Sequence, residues 1–242
     1  LTAKAAPDGH TLLVATNTGQ AIAPHLIKLA FDPIKDLTPI GLVVTVPNVL
    51  VVGSNVPANN VKELVALMKA KPEDFKYASS GVGSTQHIAG EGFDIAAGVK
   101  SVHVPYKGTA DAVRDLLEGR VQAYFDAAPT AIQNSRTGKI RMFAVAAPNR
   151  YEAMPDVPTF TEQGVQGLDL TSWIAIVGPA GMSADVVNKA NALFRQALVS
   201  PEVKEIIARG AYEAWPSTPA ELRQEMRSSY DRWGEMIKQI GF

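Results

Sequence analysis

Lys76-Tyr77-Ala78-Ser79-Ser80-Gly81-Val82-Gly83-Ser84-Thr85-Gln86-His87 brings a strand end, a small-residue turn and a helix start together in twelve positions. Phe75 to Ala78 is apolar and aromatic enough for a buried strand. Gly81 and Gly83 relieve the following bend of Cβ clashes, so a ligand can approach the main chain. Ser84 or Thr85 supplies an N-cap for a helix from Gln86 to Ala97, with Ala89, Phe93 and Ala96 on one face and Gly98 as its stop. The first N–H groups of such a helix have no intrahelical acceptor, and its dipole favours negative charge there by roughly 0.3–1 kcal/mol. The expectation is an anion site built from backbone.

Strand, glycine turn and helix also form the ordinary connection of any α/β chain, so the pattern alone leaves both readings open. The stretch lacks the Gly-Lys-Ser/Thr ending of a nucleotide loop and the third glycine of a dinucleotide fingerprint, which disfavours a phosphate cofactor. Ser84 and His87 lie within one turn, but no Gly-x-Ser-x-Gly elbow surrounds the serine and no acid is placed to orient the histidine. A hydrolase is the lesser reading.

The 242 residues are 46% hydrophobic and 19% charged, enough for one large core or two smaller ones. A net charge of −1 leaves no electrostatic footprint for nucleic acid, and no apolar run reaches the length of a membrane span. Without cysteine there is no disulfide, thiolate metal site or cysteine nucleophile. His10, His25, His87 and His103 show no ligand spacing, so neither a metal nor a cofactor is expected. Leu1 to Ala6 reads as the last turn of a helix ended by Pro7-Asp8-Gly9, which points to chain upstream of Leu1.

Along the chain, Thr11 to Ala15 reads as a strand leading through Thr16-Asn17-Thr18-Gly19 into a helix over Gln20 to Leu29. Strands over Ile40 to Thr45 and Asn48 to Val52 flank Pro47, and a polar turn after Gly53 marks a domain crossing. Asn60 with Glu63 then caps a helix. From there strand and helix alternate, as in a parallel sheet covered on both faces: Ser101 to Val104, a helix stopped by Gly119, Val121 to Phe125, a short helix opened by Pro129, and Ile140 to Ala147. Asp126 stands at a carboxyl strand end, where ligands of open α/β sheets collect. Pro148 to Gly167 is a connector with one short helix, and Leu168 to Val177 is a returning strand. Helices follow over Ser183 to Val199, Pro201 to Arg209 and from the Thr218-Pro219-Ala220-Glu221 cap to Ile240, with an edge strand near Tyr212 to Trp215. The layout is two α/β lobes: residues 1–53 with 172–242, and residues 54–171.

Ala6-Pro7-Asp8-Gly9, the stretch from Ser79 to His87, His103-Val104-Pro105-Tyr106-Lys107-Gly108, Asp156-Val157-Pro158-Thr159 and Gly178-Pro179-Ala180-Gly181 resemble, in the same order, the Bug family of substrate-binding receptors of bacterial tripartite tricarboxylate transporters. The resemblance implies a two-lobed periplasmic-binding-protein-like fold of type II with a ligand cleft between the lobes. It also implies a monomeric, non-enzymatic periplasmic receptor that serves membrane-embedded transporter subunits. Its ligand would be a small carboxylate: a di- or tricarboxylate, an aromatic acid or an acidic amino acid. Residue by residue, it matches Ser80, Gly81, Val82, Gly83, Ser84 and Thr85 to the loop that holds the ligand carboxylate. Thr16 and Asn17 match a first-lobe strand end, Asp126 a second-lobe strand end and Ser172 the returning crossover. The family begins with a further strand, a proline–glycine loop and a helix that have no counterpart here, so half of the implied clamp is missing from the sequence.

Beside that expectation, His87 reads equally as a ligand contact or a first-turn helix residue. Lys107 reads as an anion contact or, more readily, a solvated turn residue, and Trp173 as a cleft-lining residue or, more readily, core. The competing functions are an α/β enzyme acting on a small organic acid, with His87 or Asp126 as base, and an effector-sensing domain of a regulator.

Overall fold

In the computed structural model, which describes residues 1–71 and 74–241, the first half of the chain contains β1 (Leu13–Thr16), α1 (Ala23–Leu26), β2 (Leu37–Val46), β3 (Asn48–Gly53), α2 (Val61–Ala70), β4 (Lys76–Ser79), α3 (Thr85–Ala97), β5 (Val102–Pro105) and α4 (Thr109–Leu117). It continues with β6 (Ala123–Ala127), α5 (Ala128–Ser135), β7 (Ile140–Val145), β8 (Ser172–Pro179), α6 (Ala184–Leu198), α7 (Pro201–Arg209), β9 (Glu213–Ala214) and α8 (Pro219–Ile240). The chain divides into two compact units. One joins Leu1–Val46 to the segment from Ser172 onward, and the other is Pro47–Thr171.

The first unit is built on an antiparallel sheet of order β1-β8-β2-β9. Side chains alternate across a strand, and β8 uses both faces. Trp173, Ala175 and Val177 join Leu222 and Met226 of α8 in one core cluster, while Ile176 packs with Val187 of α6 in another. Trp173 is therefore core, and its indole N–H donates to Ser229 Oγ at 3.0 Å. The helix expected over Gln20 to Leu29 is shorter and widened: a five-residue π-helical turn, Thr18–Ile22, precedes α1. Pro24 explains this, since it has no N–H to donate back to Gln20 and its ring crowds that carbonyl.

β2 shifts register against β8 between Pro39 and Gly41 and again between Leu42 and Val44. Such bulges orphan backbone groups that must find other partners. Asn191 of α6 donates from Nδ2 to Ile40 O at 2.7 Å and to Ser217 O at 2.8 Å, and Leu42 N donates to Ser217 Oγ at 2.9 Å.

The second unit holds a mixed sheet of order β5-β4-β6-β3-β7. β4 runs parallel to β5 and β6, but β3 runs antiparallel to both β6 and β7. This corrects two sequence expectations. The sheet is not wholly parallel, and β3 pairs within the second unit, so the crossing lies at Pro47 and not near Gly53. β3 is buried at all six positions, Val49 and Val51 in one cluster with Leu116 of α4 and Ala131 of α5. An aromatic trio, Phe93, Phe125 and Phe160, fixes α3 to β6 and to the connector. Asn60 caps α2 by accepting from Glu63 N, and Thr218 and Glu221 form a reciprocal capping box on α8.

Removing the side-chain donor that services the β2 bulge leaves two buried carbonyls without a partner. Asn191→Ala is expected to lower stability by about 2 kcal/mol, a fall of roughly 4–8 °C in midpoint for a chain of this size. Lys189→Ala, on the exposed face of the same helix, is the control and should stay within about 0.5 kcal/mol in the same denaturation series.

Candidate functional site

At the end of β4 the chain stops pairing along the ladder and turns. Ser79 O still accepts from Tyr106 N at 3.0 Å, and Gly81 and Gly83 then take φ values of 144° and 77°. Both lie in the left-handed half of conformational space, where a Cβ is strained, and this makes glycine necessary at these two positions. Ser84 N donates to Gly81 O at 3.1 Å, and Ser84 Oγ accepts from His87 N at 3.3 Å. Of the two capping candidates Ser84 is thus the N-cap, and Thr85 is the first residue of α3.

The turn is held from within. Gly81 N donates to Ser79 Oγ at 3.1 Å, Gly83 N donates to His87 Nδ1 at 3.1 Å, and Ser80 Oγ donates to Gln86 Oε1 at 2.8 Å. The glycine amides are thus committed to the loop itself. Among the described residues no protein acceptor meets the N–H of Ser80, Val82, Thr85 or Gln86. Two of these amides open a 13-residue helix, so the loop presents a cluster of donors at the positive end of a helix dipole. Val82 is exposed, and Ser80, Gly83, Thr85 and Gln86 are half-buried.

Two imidazoles lie against this loop. The His87 and His103 rings stack with centroids 3.7 Å apart at 14°, and His103 also stacks on Tyr77 at 5.0 Å. His103 Nε2 lies 2.6 Å from Ser79 Oγ. The Tyr77 hydroxyl donates to Glu91 Oε1 at 2.6 Å, and the same carboxylate oxygen is 3.8 Å from His87 Nε2. Burial pushes His103 down to about 4, with His87 adding to the shift; burial also lowers His87, opposed by Glu91. Both rings are neutral near pH 7. The Ser79–His103 pair has the atoms of a nucleophile and its base, but Ser79 is fully buried and its hydroxyl is occupied by Gly81.

The other residues singled out from the sequence fall into two groups. Asp126, on β6 beside β4, is 2% exposed; Thr130 Oγ1 and Asn134 Nδ2 of α5 donate to its carboxylate, and burial raises its pKa. An acid that is turned into α5 in this way presents no open charge to an anion. Thr16, Asn17 and Ser172 belong to the other unit. Thr16 is exposed and its Oγ1 accepts from Gly19 N at 3.4 Å, Asn17 is wholly buried, and Ser172 is half-buried opposite Val46. Lys107 is exposed in its turn. His103 was missed as a site residue. Its signal lies in strand register, which sets Tyr77 beside His103 across the parallel pair β4 and β5.

The whole of residues 1–242 matches the sequence model of the tripartite tricarboxylate transporter family receptor. BugT of Bordetella pertussis is 30% identical over 246 residues, an alignment that covers 99% of this chain and 74% of BugT. Among solved structures, R. palustris Rpa4515 with adipate superposes with a TM-score of 0.85 at 30% identity, covering 99% of this chain and 81% of that one. MatC from Rhodopseudomonas palustris with bound malate gives 0.80 at 29% identity, covering 98% and 82%. The two-unit α/β fold is therefore that of a known class, and the chain belongs to the tripartite tricarboxylate transporter receptor family, the Bug family of solute-binding proteins.

Proposed function

We propose that this protein is a periplasmic receptor that binds a small carboxylate at the Ser80–Gln86 loop, without transforming it, and hands it to the membrane-embedded subunits of a tripartite tricarboxylate transporter. The observation that carries the reading is the set of amides at Ser80, Val82, Thr85 and Gln86 with no protein acceptor, gathered where a helix dipole favours negative charge. A hydrogen bond to a charged group contributes roughly 1.5–3 kcal/mol, so a few such donors suffice to hold one carboxylate. The similar proteins whose names record adipate and malate support dicarboxylates as the first ligands to try. The buried Ser79 supports binding over catalysis. Thr16, Asn17 and Ser172 remain proposed contributors from the first unit.

Titrating the isotopically labelled protein with adipate, malate, citrate, benzoate and glutamate tests this reading. At least one acid should shift the amide resonances of Val82, Thr85 and Gln86 in a saturable way, and its uncharged diamide should not. Loop amides unmoved by every acid, or steady conversion of an acid to product, would rule the proposal out.

The loop's construction also ranks its variants. Gly83→Val forces a β-branched residue into a left-handed conformation and moves the neighbouring amides, so affinity for the active acid should fall at least about thirtyfold, which is roughly 2 kcal/mol. Ser84→Ala removes only a helix cap, costing about 1 kcal/mol of stability, and should weaken binding less than about fivefold. Calorimetry on both variants gives the order, and equal losses would refute recognition through the main chain.

A further inference from the structure

The feature that carboxylate binding leaves unexplained is the stacked pair of histidines against the loop, His87 buried and His103 half-buried. We infer that His87 and His103 are positioning residues: an uncharged imidazole pair that fixes the two ends of the Ser79–Ser84 turn, so that the open amides keep their arrangement only while both rings stay neutral. This rests on the proposed role of the loop, but the coupling between rings and turn is a property of the free protein.

Each ring holds one end. His87 Nδ1 accepts the Gly83 N–H at 3.1 Å, which requires an unprotonated Nδ1 and places the ring proton on Nε2, toward Glu91. His103 Nε2 meets Ser79 Oγ at 2.6 Å; that hydroxyl donates to Gly81 O and accepts the Gly81 N–H, so Nε2–H is the donor in this contact, and a second proton on His103 acts on the turn through its repulsion of His87. The rings are stacked at 3.7 Å, so a proton on one opposes a proton on the other. A proton on His87 Nδ1 would set a donor against the Gly83 N–H and turn that peptide away. Among the described residues, the ionisable groups facing the pair include Glu91 from α3, which favours charge on His87, and Tyr77 from β4, whose hydroxyl is bonded to Glu91. Asp94 of α3 acts on Tyr77 and holds Ser101 through Oδ2. Glu91 stabilises charge on His87, but burial outweighs it.

The sign of the pH effect follows from the downward shifts. A histidine whose pKa in the folded protein lies below its ordinary 6.5 contributes fully above about that pH. The contribution is lost as the pH falls from there toward the folded value, which for His103 is about 4. Acid therefore loosens the turn.

Long-range ¹H–¹⁵N spectra of the histidine rings, recorded without ligand from pH 7.5 to 4.5, test this directly. The expected result is a neutral Nε2–H tautomer of His87, proton uptake below the ordinary 6.5, and a Gly83 amide resonance that moves with the same midpoint. Two variants of His87 separate positioning from packing. His87→Phe keeps a ring in the stack but removes the acceptor, and should weaken adipate binding at the Thr85 amide at least tenfold. His87→Asn returns a carbonyl oxygen near the Nδ1 position and should recover most of that loss. His103→Phe should flatten the fall in thermal midpoint between pH 7 and pH 5. A Gly83 amide indifferent to ring protonation, or a His87→Phe variant that binds adipate like the parent protein, overturns the inference. If rings and Gly83 titrate together but none of the five acids reaches the loop, the coupling is upheld and the carboxylate reading of the loop fails.

Discussion

Every buried peptide group has to be paired, and both units show what happens where the sheet cannot do the pairing. In the first unit β2 bulges, and side chains from elsewhere, Asn191 and Ser217, take up the orphaned carbonyl and amide. In the second unit the chain leaves β4 through two left-handed glycines, and Ser79 and His87 take up the amides of those glycines. The difference is in what remains. At the bulge Ile40 O and Leu42 N both find side-chain partners, whereas the turn pairs its own glycine amides and, among the described residues, leaves those of Ser80, Val82, Thr85 and Gln86 without a protein acceptor. A loop made this way depends on the side chains that pair its glycines as much as on the donors it leaves open.

The electrostatic character of the loop follows from the same economy of charge. Asp126 is turned into α5, both imidazoles are held neutral by burial, and Lys107 is exposed in its own turn. The positive potential comes from peptide dipoles at the start of α3. Dipoles fixed in the fold need no reorganisation when an anion arrives, and they do not draw in counter-ions as a lysine would.

Features set by neighbours in sequence were legible before the fold was known. The caps at Asn60, Ser84 and Thr218 are local hydrogen bonds within four residues, and the periodicity of α2, α3 and α8 depends only on their own residues. Features set by partners across the sheet were not. Asn48–Gly53 reads as a strand in either unit, and only its pairing with β6 and β7 decides between them. The role of His103 depends on the register that brings it beside Tyr77, 26 positions away. The burial of Asp126 depends on the packing of α5, so position at a strand end was a poor guide to exposure. Pro24 held the one overlooked local signal, and it shortened the helix expected from Gln20 to Leu29.

The strand order β1-β8-β2-β9 has a consequence for how the chain is made. β1 and β2 both pair with β8 and not with each other, so neither has a sheet partner until Ser172–Pro179 has been synthesised. All of Pro47–Thr171 precedes that moment and carries its own complete sheet. At about 5–20 residues per second the early strands wait on the order of ten seconds, an interval in which the second unit has every residue it needs to fold. The apolar edges of β1 and β2 are then open to any other strand that passes, which makes the nascent first unit the part of this protein in most need of a chaperone.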